Sequence, residues 1–127
     1  MKILIAEDDT SLRRVLVSIL QKNNYSVDAV DNGSDALDYL CSDLYDAAVL
    51  DIMMPGMDGY EATRAIRLSD KSDAADIPII ALTANAFSED VQAAHDAGMN
   101  AHLPKPLDFD KLKDMLARIR QHGAASL

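Results

Sequence analysis

Four short polar stretches of this sequence could do chemistry together: Glu7-Asp8-Asp9, Asp51, Thr83 and Lys105-Pro106. Each comes at or just beyond a short apolar run. Carboxylates crowded within a few ångströms repel one another, and the remedy is proton uptake or a hard cation. Mg²⁺ suits such a set, because it takes oxygen ligands and commonly binds one or two protein carboxylates together with waters and a phosphate. A bare carboxylate attacks an anionic phosphoryl group poorly, so Asp51 as a nucleophile needs its charge screened by the metal and by a cation such as Lys105. The Thr83 hydroxyl adds a donor for a phosphoryl oxygen. Taken singly, these residues read as helix caps, loop acids or a surface lysine; their joint placement is what argues for a site.

The placement follows from the elements. ILIA (3–6), AAVL (47–50) and IPIIAL (77–82) have the length and two-sided hydrophobicity of buried parallel strands, and SVDAV (26–30) and NAHL (100–103) are weaker candidates for two more. Helical spacing fills the intervals: Leu12, Val15, Leu16, Ile19 and Leu20; Ala36, Leu37 and Leu40; Ala62, Ala65 and Ile66; Val91, Ala94 and Ala97; Leu112, Met115, Leu116 and Ile119. Thr10 or Ser11, Ser34, Asp58, Ser88 and Asp108 stand where N-caps belong, and Gly98 where a helix ends. The expected fold is therefore α/β: a doubly wound (βα)₅ five-stranded parallel sheet with helices on both faces. In such sheets the ligand site lies beyond the carboxyl ends of the strands, where the four polar stretches fall.

With 127 residues, 49% hydrophobic and 26% charged, the chain has the size and make-up of one globular domain. The reading is a single domain over residues 1–122, with 123–127 a disordered tail. A net charge of -9 without a basic run argues against direct nucleic-acid binding. No apolar stretch nears the roughly 20 residues a membrane span needs, and MKILIA runs straight into acids rather than forming a signal peptide, so a cytoplasmic location is expected. The lone Cys41, in the helical pattern ALDYLC, reads as an ordinary semi-buried residue.

In this order and spacing, ILIAEDD, AVLDIMMPGMDG, IPIIALTA and LPKP resemble the receiver domains of response regulators, over nearly the whole chain. The resemblance implies a flavodoxin-like topology with strand order 2-1-3-4-5, and phosphate taken from a histidine kinase or a histidine phosphotransfer protein. It implies Asp51 as phosphoacceptor, Asp8 as direct metal ligand, Glu7 acting on the metal through water, and the main-chain carbonyl of Met53 as a further ligand. Asp9 stays open between metal binding and starting the first helix. Thr83 corresponds to the switch hydroxyl, Lys105 to the family's lysine, and Lys105-Pro106 to a cis peptide. His102 stands where the switch aromatic often sits, and Met53 and Asn85 fall at variable positions that tune hydrolysis. Output would pass to a downstream protein or a linked effector domain. The fifth strand lacks the residue set typical of receivers that dimerise above a winged-helix domain, and GYEATRAIR and IPIIALTANA look closer to receivers of hybrid histidine kinases.

Other functions fit less well. A haloacid-dehalogenase-like Mg²⁺-dependent phosphatase needs a second acid two residues after its nucleophile, where this chain has Met53. A nucleotide or flavin binder would need a GxxxxGK[ST] or GxGxxG loop, and neither is present. A pseudo-receiver, a non-phosphorylated interaction module, would have no use for the full acidic set with Thr83 and Lys105. The expectation is a signalling domain rather than an enzyme.

Overall fold

The computed structural model describes residues 1–74, 76–84, 88–123 and 127. The chain alternates strand and helix: β1 (Lys2–Ala6), α1 (Thr10–Lys22), β2 (Ser26–Val30), α2 (Gly33–Ser42), β3 (Ala47–Asp51), α3 (Gly59–Arg67), β4 (Ile79–Thr83), α4 (Ser88–Ala97), β5 (Ala101–Pro104) and α5 (Phe109–His122). The strands form one parallel sheet in the order β2-β1-β3-β4-β5. The order reverses between β1 and β3, which opens a crevice at their carboxyl ends.

Two cores, one on each face, explain why the strands read as continuous apolar runs. Successive strand residues point to opposite faces. Leu4, Ala6, Ala48, Leu50, Ile79 and Ala81 pack against Ala36 and Leu40 of α2, Ala62 and Ile66 of α3 and Ala94 of α4. Ile3, Ile5, Ala47, Val49, Ile80 and Leu82 pack against Leu16 and Leu20 of α1 and Leu112, Leu116 and Ile119 of α5. Both sides of β1, β3 and β4 are thus removed from water, as a sheet covered by helices requires. Val15 departs from the expected apolar stripe of α1 and is exposed, because the stripe is narrow and Leu16 and Leu20 fill the sheet-facing side.

The helix starts differ in detail from expectation. Asp9, not Thr10 or Ser11, caps α1, its carboxylate accepting from the Leu12 amide at 3.1 Å. Asn32, not Ser34, caps α2 by accepting from the Asp35 amide at 2.8 Å. Asx side chains two or three residues upstream reach the free amides of the first turn better than the hydroxyls already inside it. Asp58 and Asp108 cap α3 and α5 as expected. Ser88 opens α4, but its side chain, like Asn85 and residues 124–126 of the expected tail, lies outside the described residues. Gly98 follows α4 with φ +103°, the left-handed region that favours glycine. Cys41 is exposed rather than semi-buried, since α2 turns Ala36 and Leu40 toward the sheet and leaves position 41 facing outward.

Candidate functional site

The site is assembled at the β1/β3 reversal. Asp51 is the last residue of β3, and Glu7 the residue after β1. Both are buried, Asp51 2% exposed and Glu7 0%. Asp8 sits beside them with its side chain in solvent, and Glu7, Asp8 and Asp51 each offer a carboxylate oxygen within 4.8 Å of the others. Asp51 and Thr83 end their strands rather than following them, because backbone pairing extends one residue further than the apolar runs.

Lys105 spans the cluster. Its Nζ donates to Asp51 Oδ2 at 2.9 Å and to Glu7 Oε1 and Oε2 at 3.1 and 3.3 Å. The Lys105-Pro106 peptide is cis. The other Asp51 oxygen, Oδ1, accepts from the Met53 amide at 3.1 Å, and Glu7 Oε1 accepts from the Asp9 amide at 3.3 Å. Burial, helped by the neighbouring Asp51 carboxylate, pushes the Glu7 carboxyl up to about 7 against the opposing pull of Lys105. Burial lowers the Lys105 ammonium, but its bonds to Asp51 and Glu7 outweigh this and hold it above the ordinary lysine value. One ammonium therefore does not neutralise the cluster. The all-oxygen donor set, open to solvent on the Asp8 side, fits a hard divalent cation.

Thr83 closes the inner wall. It is 1% exposed, and among the described residues its Oγ1 has no hydrogen-bond partner. A buried hydroxyl without a partner is costly and calls for a reason, and a ligand oxygen arriving in the crevice would supply one.

The turn after Asp51 packs tightly over β3. A Cβ on Gly59 would come 2.4 Å from the Asp51 carbonyl oxygen, so only glycine lets α3 start there, and Gly56 turns the chain with φ +71°. The Met53 side chain points outward, 70% exposed.

Two candidates fall outside the cluster. Asp9 is absent from it and is committed to capping α1. His102 is not at the end of β5: it pairs with Ala81, while Pro104 is opposite Thr83, so the register sets His102 two residues behind the crevice. There it lines a groove of about 240 Å³ between α4 and β5, with Val91, His95 and Met99. A larger cavity, about 520 Å³, lies at the opposite end of the sheet beside Met1, Asp46, Pro78 and Arg120, away from the carboxylates. The sequence reading missed Arg13, whose guanidinium bonds the main chain of Glu7 and Asp8. Its signal was an arginine four residues after a helix cap that follows paired acids.

Comparison with known proteins agrees with this geometry. Residues 3–117 match the response regulator receiver domain family. The chain is 42% identical over 120 residues to response regulator MprA of Mycobacterium avium, covering 94% of this chain and 50% of that protein. It is 41% identical over 119 residues to MprA of Mycobacterium tuberculosis, covering 94% and 49%. The chain thus spans about half the length of the curated relatives it matches. Among solved structures, the receiver domain of the sensor histidine kinase PA1611 from Pseudomonas aeruginosa, which has a magnesium ion coordinated in its active site cleft, superposes with a TM-score of 0.84 at 38% identity, over 92% of this chain and 94% of that one. Chemotaxis response regulator CheY4 of Vibrio cholerae gives 0.85 at 30%, over 93% and 97%. Relatives joined to a sensor kinase and relatives that are response regulators are both represented.

Proposed function

Since this chain belongs to the response regulator receiver domain family of two-component signalling, we propose that Asp51 is its phosphoacceptor and that residues 1–122 act as the receiving unit. The observation that carries this reading is the burial of the Asp51 carboxylate against Lys105, at 2.9 Å, within the Glu7–Asp8–Asp51 cluster and beside the Thr83 hydroxyl, which has no partner among the described residues.

The donor is a phosphohistidine on a histidine kinase or a histidine phosphotransfer protein. An Asp51 carboxylate oxygen attacks phosphorus, the P–N bond to the donor imidazole breaks, and the imidazole nitrogen keeps the electron pair. The product is an acyl phosphate on Asp51. Asp8 and Asp51 directly, Glu7 through water and the Met53 carbonyl would hold Mg²⁺, which when bound would neutralise charge on the phosphoryl oxygens. Lys105 keeps a positive charge at the attacked centre, and the Thr83 hydroxyl donates to a phosphoryl oxygen once the group has arrived. Met53, exposed, stands where a haloacid-dehalogenase-like phosphatase would carry its acid/base, so that reading lacks its second acid. The domain is a cytoplasmic switch: phosphate changes a protein-binding face, read by a downstream partner or a linked effector domain, with no direct contact to nucleic acid or membrane. Among the described residues no helix is long and apolar enough to cross a membrane.

A small phosphodonor with Mg²⁺ is expected to add one phosphoryl group, stable to acid and labile to base. Asp51→Asn removes it. Intact-mass measurement decides: full labelling of Asp51→Asn at another residue would overturn the assignment.

A further inference from the structure

Arg13 lies outside the constellation just described, yet it touches the backbone that presents it. It sits in the first turns of α1, half-buried, and its Nη1 donates to the main-chain carbonyl of Glu7 at 2.9 Å. The same nitrogen reaches the carbonyl of Asp8 at 3.5 Å, the outer limit of a hydrogen bond. The rest of the β1–α1 turn is held at other points: the Glu7 amide donates to the Val30 carbonyl at 3.1 Å, the Asp9 amide to Glu7 Oε1 at 3.3 Å, and Asp9 Oδ1 accepts from Leu12. Among the described residues, no side-chain hydrogen bond is formed by the exposed Asp8 carboxylate. Its direction is set by the peptide units on either side of it, and those are the units whose carbonyls face Arg13.

We propose that Arg13 is a positioning residue for the divalent-cation site: by holding the Glu7 and Asp8 carbonyls it aims the Asp8 carboxylate at the cluster it shares with Glu7 and Asp51. The proposal rests on the reading of that cluster as the Mg²⁺ site. Supporting groups behind a metal ligand commonly matter this much, because a ligand that must be ordered on binding loses affinity to the ordering.

Charge and position predict opposite signs here, which makes the idea testable. A guanidinium bonded to the main chain of Glu7 and Asp8 opposes a dication held by their side chains, so if Arg13 acted only as a nearby charge, Arg13→Gln would tighten Mg²⁺ binding. If it positions Asp8, Arg13→Gln weakens binding, by about 10-fold on the usual scale for such supporting residues. Arg13→Lys keeps the charge and one donor, and is expected to recover part of the loss.

The experiment is Mg²⁺ titration of the full chain and both variants, followed by amide NMR signals of residues 7–9 and 51–53, with thermal unfolding recorded to show that each variant is folded. Weaker binding in Arg13→Gln with partial recovery in Arg13→Lys supports the role. Unchanged or tighter binding in folded Arg13→Gln overturns it, as does a lowered unfolding temperature with no change in Mg²⁺ affinity, which would mark Arg13 as a helix support only. If the parent chain itself shows no Mg²⁺-dependent shift at these residues, the metal-site reading falls and this proposal with it. A parent that binds beside an Arg13→Gln variant that binds equally well removes the Arg13 proposal alone.

Discussion

Glu7, Asp8 and Asp51 set three carboxylates against one ammonium, Lys105, and two of the three are removed from water. Burial first, and then the neighbouring Asp51 carboxylate, raise the Glu7 value. A dication that binds only the folded chain relieves the repulsion and raises stability by mass action, about 2.7 kcal/mol at a hundredfold excess over Kd. Asp8→Ala is expected to remove most of that gain while leaving the chain in Mg²⁺-free buffer as stable as the parent or more so, since one repelling charge is gone. Unfolding curves with and without Mg²⁺ check both halves. A parent-like Mg²⁺ response in Asp8→Ala would move the metal elsewhere, and Asp9 would be the next residue to test.

Between elements, polar bonds pin what the two apolar cores leave free. Tyr45, 6% exposed, leads into β3 and donates its hydroxyl to Asp28 of β2 at 2.6 Å, while Lys2 of β1 sits over its ring, 4.9 Å from the centroid. Burial and the Asp28 carboxylate hold the Tyr45 phenol well above its ordinary value. A folded value above the unfolded one means that the native state binds more protons at alkaline pH. The contribution is therefore complete below about pH 10 and lost as pH rises toward the folded value. Tyr45→Phe is expected to cost about 1 kcal/mol near neutrality, a typical net hydrogen bond. Above about pH 10 the gap between parent and variant narrows, because only the parent must bury an ionising phenol beside Asp28. Urea midpoints across that range test it, and a constant gap would contradict the assignment.

For the molecule as a whole, the question is how a change in the crevice reaches a surface. A phosphoryl group on Asp51 would bring about -2 charge and three acceptor oxygens, enough to draw in the Thr83 hydroxyl, unpartnered among the described residues, and to engage Lys105. Thr83 and His102 lie on adjacent strands, and the alternation of side chains sets them on the same face of the sheet, toward α4. Under the proposed function, movement of Thr83 would be passed along that face toward His102 in the α4–β5 groove, and a partner sensitive to the groove would be biased between two states. Thr83→Ala should keep its fold, since it deletes a hydroxyl that has no bond to lose among the described residues. It should also accept phosphate at Asp51, but lose much of the chemical-shift change that beryllofluoride, a phosphate mimic, causes around His102. The full parent pattern in Thr83→Ala would rule out this route.

Periodicity and polarity alone determined the alternation of elements, both faces of the sheet, and the gathering of Glu7, Asp8, Asp51, Thr83 and Lys105 at one end. These are consequences of burial: strands covered on two sides must be apolar throughout, so the first polar residue marks the strand end. Resemblance supplied the strand order and the residue roles. Tertiary structure decided what depends on a few ångströms. Asp9 and Asn32 became the caps because the approach of the chain decides which side chain reaches a free amide. His102 fell two residues behind the crevice because strand register comes from pairing with a neighbour that composition does not reveal. Arg13 had a place in the sequence, four residues after the cap, but that place does not specify its partners, which are main-chain carbonyls that every residue carries.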